Sequence, residues 1–101
     1  MISANVSSIL SNQTYMNNSA SNVANANSDG YLPRNTTISE TQNGGTKANT
    51  TMAADNSSKQ SQTNLTKEIT DQMTIEKTTE ANVQAIRTQN DMLGSLLDIK
   101  A

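Results

Sequence analysis

The stretch Asn64–Lys100, NLTKEITDQMTIEKTTEANVQAIRTQNDMLGSLLDIK, alone in the chain carries a sustained apolar rhythm with charges interleaved. Leu65, Ile69, Val83, Ile86, Leu93 and Leu97 recur on one seam at spacings built from threes and fours. Met73, Ile75, Leu96 and Ile99 widen it, and no Pro interrupts it. A helix of that length extends on the order of 50 Å, more than a single small domain usually needs. Gln72, Glu76, Thr79 and Asn90 occupy the intervening seam positions. Polar groups there either fix register and partner choice or mark a loosely packed surface helix.

Upstream, Asn35 to Thr63 is Asn, Ser, Thr and Gln around Gly44-Gly45, and its few apolar residues, Ile38 and Met52 among them, have no period. The composition predicts a disordered polar linker. The Asn-x-Ser/Thr triplets at Asn35, Asn49, Asn56 and Asn64 are what a chain so rich in these residues produces by chance. Before the linker, Asn27-Ser28-Asp29-Gly30-Tyr31-Leu32-Pro33 reads as a stop. Gly30 suits a left-handed turn, and Pro33 forbids helical continuation.

Met1 to Ser28 contains no charged side chain, yet Ile2, Val6, Ile9, Gln13, Met16, Ala20, Val23 and Asn27 form a stripe at helical spacing. Its other faces are Asn and Ser, which compete for backbone hydrogen bonds, so propensity alone does not hold such a helix in water. The expected fold is all-α: two long terminal helices forming an antiparallel coiled-coil-like hairpin joined by the disordered linker. The expected boundaries are 1–28 for the first helix, 29–63 for turn and linker, and 64–101 for the second helix. The two stripes are expected to face each other, in the same chain or a neighbour, with Val6 or Ile9 near Leu93. The apolar positions Ile2, Val6, Ile9, Met16, Val23, Leu65, Ile69, Val83, Ile86, Leu93 and Leu97 are the candidate assembly interface.

Composition narrows the functional classes. Leu, Ile, Val and Phe together make fewer than a fifth of the 101 residues, and Tyr15 and Tyr31 are the only aromatics, so an isolated chain is expected to be marginally stable. A net charge of −2 with two arginines offers no basic patch for nucleic acid. Without Cys or His, thiolate chemistry and the usual general base are missing. Carboxylate pairs one helical turn apart, Glu76 with Glu80 and Glu68 with Asp71, read as a charged outer face rather than a cation site. No nucleophile elbow or phosphate loop is present, so no enzyme is expected, and neither a cofactor nor a metal. No run approaches a membrane span, and the amino terminus lacks the pattern of a cleaved secretory signal.

Ser21-Asn22-Val23-Ala24-Asn25-Ala26-Asn27-Ser28-Asp29-Gly30-Tyr31 resembles the amino-terminal motif of the bacterial flagellar rod, hook and hook-associated proteins. In that family a helix ends in a pattern like N-N-(I/L)-A-N-(A/V)-N-T-x-G-(F/Y). The carboxy-terminal stretch is similar to the family's other terminal motif through Asn64, Leu65, Glu68, Glu80-Ala81-Asn82-Val83, Ile86, Thr88, Asp91-Met92-Leu93 and Leu96-Leu97-Asp98-Ile99. Glu76-Lys77-Thr78-Thr79 stands where Q-R-A-Y is usual, so the aromatic anchor is missing. The resemblance is to the short, proximal-rod type.

It implies a structural subunit of the flagellar basal-body rod, polymerising through its terminal helices with other rod or hook-type subunits for motility. Such a subunit reaches the periplasmic rod by the flagellar export route, without a cleaved signal peptide. The motif residues that carry the implication are Asn22, Ala24, Asn25, Asn27, Gly30, Tyr31, Ala81 and Asn82. The alternative from another class is a soluble helical adaptor or export chaperone that binds a partner helix through the carboxy-terminal seam.

Overall fold

A computed structural model describes residues 2–42 and 44–100, with side chains described as far as Leu97. Helix α1 spans Ile2–Ala24 and helix α2 spans Leu65–Lys100. Between them, β1 (Arg34–Glu40) and β2 (Thr46–Met52) form an antiparallel hairpin paired without a break from Arg34↔Met52 to Glu40↔Thr46. The architecture is therefore mixed α and β. The all-α expectation is corrected, and with it the disordered linker.

The hairpin forms for reasons that polarity obscured. Its strands are rich in β-branched Thr (Thr36, Thr37, Thr46, Thr50, Thr51), which suits a pleated surface whether or not it is greasy. Gly44 makes the turn at φ +79°, a conformation few other residues adopt, and Thr41 N–H closes the loop on the Gly45 carbonyl at 2.9 Å. What covers the hairpin is the polar side of α1. Asn18 Nδ2 donates to Thr36 Oγ1 at 2.8 Å and Thr50 Oγ1 at 2.9 Å. At the other end, Ser7 Oγ donates to the Thr46 carbonyl at 2.7 Å and accepts from Thr46 N–H at 2.9 Å. Gly45 lies so close to α1 that a Cβ there would stand 2.8 Å from Ser7 Oγ.

α1 ends four residues before the expected Ser28, in turns through Asn25–Ala26, and Gly30 takes φ +74° as the stop signal predicts. Asn64 caps α2: its Oδ1 accepts from Lys67 N–H at 3.2 Å. Gly30 N–H bonds to the Lys59 carbonyl at 2.8 Å and Gln62 N–H to the Tyr31 carbonyl at 3.1 Å, so the returning chain is strapped to the turn that ends α1.

α1 and α2 lie antiparallel: Ser8 meets Asn82, Ser19 meets Gln72 and Asn22 meets Glu68. Ile9 then stands level with about Ala81, not Leu93, about three turns from the expected register. Met1 and Ala101, the outer limits of the expected segments, lie outside the described residues, and Ile99 outside the described side chains. The radius of gyration is 18.1 Å and the extents are 67 × 25 × 14 Å, whereas a compact chain of this length would have a radius near 13 Å.

Candidate assembly surface

The joint between the helices is polar. Of the described residues, the buried ones on α1 are Ser11, Asn12, Asn18, Ser19 and Asn22, and on α2 Glu68 and Ile75. Asn22, 1% exposed, is saturated: Nδ2 donates to the Arg34 carbonyl at 2.8 Å and Glu68 Oε1 at 2.9 Å, while Oδ1 accepts from Tyr31 O–H and Arg34 N–H, both at 2.8 Å. One side chain thus ties α1, the turn, β1 and α2 together. Gln72 Nε2 donates to Ser19 Oγ at 3.1 Å and Asn82 Nδ2 to Ser8 Oγ at 2.9 Å. Asn12 Nδ2 and Gln89 Oε1 are buried without a partner.

Electrostatics add little. Lys67 Nζ and Asp71 Oδ2 pair at 2.7 Å on the surface, the kind of i,i+4 contact worth a few tenths of a kcal/mol. Burial, then the neighbouring Asp71 carboxylate, pushes the Tyr15 phenol above its ordinary value, and the Asp71 hydrogen bond raises Lys67.

Apart from Ile9, Met16 and Ile75, which face one another across a groove, most of the apolar stripe residues turn outward from this joint. Ile2, Val6, Val23, Leu65, Ile69, Val83, Leu93 and Leu97 are each between 38% and 62% exposed. Ile9, Met16 and Ile86 are half-buried. Ile9 and Met16 join Gln13, Ile75, Glu76, Thr79 and Glu80 around an open groove of about 460 Å³ between the helices. The geometry has a simple cause: Ser and Asn are short and carry partners for one another, so the Ser/Asn face of α1 can approach both α2 and the hairpin while satisfying buried polar groups. Ser8, Ser19, Glu68 and Gln72, which build the joint, and Asn18, which holds the hairpin, were not among the predicted site residues. Their signal was present in the helical spacing of Ser8, Ser11, Asn12, Tyr15, Ser19 and Asn22.

The motif residues divide between roles. Asn22 is the hub. Asn25 Nδ2 donates to the Ser21 carbonyl at 2.8 Å and Asn25 Oδ1 accepts from Ser28 Oγ at 2.9 Å, closing the end of α1. Gly30 supplies the left-handed turn that brings the Tyr31 hydroxyl back onto Asn22. Asn82 fixes the helix register through Ser8. Ala24, Asn27 and Ala81 are exposed, and among the described residues Asn27 makes no side-chain hydrogen bond. Among the described residues no His, Cys, Asp or Glu cluster could hold a metal ion, and no helix is long and apolar enough to cross a membrane.

A polar hub that fixes two helices, with most of the apolar stripe residues turned away from it, is the geometry of a structural scaffold. Residues 54–99, just under half of the chain, match the family model described as flagellar basal body rod FlgEFG protein C-terminal, so this segment is similar to the carboxy-terminal part of flagellar rod proteins. The match supports a structural role in the flagellar basal-body rod, alongside other rod subunits. No curated protein matches the chain.

Proposed function

We propose that the chain is an axial subunit of the rod that polymerises by burying its outward apolar stripes against neighbouring rod or hook-type subunits, and that motility depends on it. The reading rests chiefly on one observation: the large apolar side chains of both helices are exposed while the interhelical joint is polar. Exposed apolar surface on this scale marks a site of protein contact. The interface consists of Ile2, Val6, Val23, Leu65, Ile69, Val83, Leu93 and Leu97, with Ile9, Met16 and Ile86 at its inner margin. α1 has no charged residue, so covering it strands no ionised group. Contacts that repeat head to tail without closing build a tube, and each chain gains stability as its stripe is covered.

In this reading the protein reaches the periplasmic rod by the flagellar export route. Isolated basal bodies carrying an epitope-tagged copy provide the test. The tag is expected in the rod fraction, resistant to extraction with the membrane rings. Recovery only in the soluble fraction, bound to a fixed partner, would overturn the proposal.

A further inference from the structure

A stripe on α2, beside the face turned to α1 and with Glu76 and Glu80 at the rim of the interhelical groove, runs from Ile69 to Leu97 at alternating spacings of four and three, and every member is exposed. Laid against itself in reverse, the stripe is self-complementary. Ile69 meets Leu97, Met73 meets Gly94, Glu76 meets Asn90, Glu80 meets Arg87, and Val83 meets itself. We propose that this face pairs with the same face of a second copy, antiparallel about a two-fold axis at Val83.

Charge selects the orientation. In the antiparallel register both glutamate–arginine contacts join opposite charges, once on each side of the axis, and Glu76 finds an amide. A parallel pair would set Glu76, Glu80 and Arg87 each against its own copy, repulsion at three layers of the seam. Gly94 provides a second, independent observation. It sits within α2 on the exposed face, where Gly is a poor helix former, and a Cβ added there would meet nothing within 4 Å. Nothing in the single chain requires a glycine at this position. In the pair, Met73 of the other copy lies across it, and the absent side chain makes the room.

This inference goes beyond the rod role and does not depend on it. A two-fold pair closes on itself and cannot extend. It also covers Ile69, Val83 and Leu97, which the proposed rod interface uses. The pair is thus a state outside the filament, and rod assembly must displace it.

The chain has no cysteine, so single substitutions report contacts cleanly. In purified full-length protein under mild oxidation, Val83→Cys is expected to give a disulfide-linked dimer. Ile69→Cys should link to Leu97→Cys in a mixture of the two chains and not to itself. Sedimentation should show Glu80→Arg or Arg87→Glu weakening the dimer at least about tenfold, with the double reversal restoring it to within about threefold of the unaltered chain. The double variant contains both changes, so its recovery separates loss of pairing from loss of folding. Self-linking of Ile69→Cys as efficient as that of Val83→Cys, a double reversal no better than either single one, or a monomer at ~1 mM would each overturn the pair. An extensible polymer indifferent to charge reversal would also overturn it while leaving the rod proposal intact. Absence of the tagged protein from basal bodies would remove the rod proposal and leave a measured dimer standing.

Discussion

Asn22 concentrates the chain's dependence on a single side chain. Replacing it with Ala removes the donors to Glu68 and the Arg34 carbonyl and the acceptor for Tyr31 and Arg34 N–H, leaving a buried carboxylate without that partner. Asn22→Ala should cost roughly 2–4 kcal/mol, most of what a chain this small has, and should release hydrogen-exchange protection in α1, β1 and the first turns of α2 together. Loss confined to α1 would contradict the hub. pH tests the same region from the other side. Tyr15 titrates above its ordinary 10.0 and Lys67 above 10.5, so the fold favours the neutral phenol and the charged ammonium. Both contributions are complete below those ordinary values and are lost as pH rises through the shifted ones. Thermal stability should therefore be flat from neutral pH to about pH 9 and decline slightly above pH 10. A fall near neutrality would have another source.

At the scale of elements, α2 was legible because Leu65, Ile69, Val83, Ile86, Leu93 and Leu97 keep a helical period through many turns. The turn at Gly30 was legible because few other residues take its backbone conformation. The hairpin was not, because its strands lack apolar alternation: their cover is Asn18 on Thr36 and Thr50, and polarity was read as disorder. The Thr-rich runs on either side of Gly44-Gly45 were the available signal. Which faces of the helices meet within the chain is hidden for the same reason, since Ser and Asn at helical spacing carry no apolar signal. Two substitutions test these packings. Gly45→Val places carbon where Ser7 Oγ stands and should detach the hairpin tip from α1, lowering Tm by several degrees, while Gly44→Asn should be tolerated. Thr79→Tyr puts an aromatic ring at the groove of about 460 Å³, at the position where the family resemblance expects one. It should raise stability by about 1 kcal/mol in chemical denaturation, and no change would mean the groove is already filled by its surroundings.

The whole molecule is an elongated hairpin of helices, 67 Å long, whose exterior is greasier than its interior joint. That inversion links sequence to the proposed function: spacing marks the apolar positions, and in the proposed rod their partners lie on other chains, so the apolar period of one chain does not orient them. It also means that a charge on the outer stripe should spare the subunit and disable the assembly. Val83 is 41% exposed, so Val83→Asp should leave circular dichroism of the purified chain nearly unchanged while costing several kcal/mol wherever a neighbour must bury it. Gln60→Asp, on the exposed return segment, is the matched control. The most direct measurement is the amount of each variant in basal bodies isolated from cells that express no other copy, scored with swimming. The account predicts unaltered export of both variants, normal incorporation and motility with Gln60→Asp, and neither incorporation nor motility with Val83→Asp. Equal incorporation and equal swimming of the two variants would contradict it.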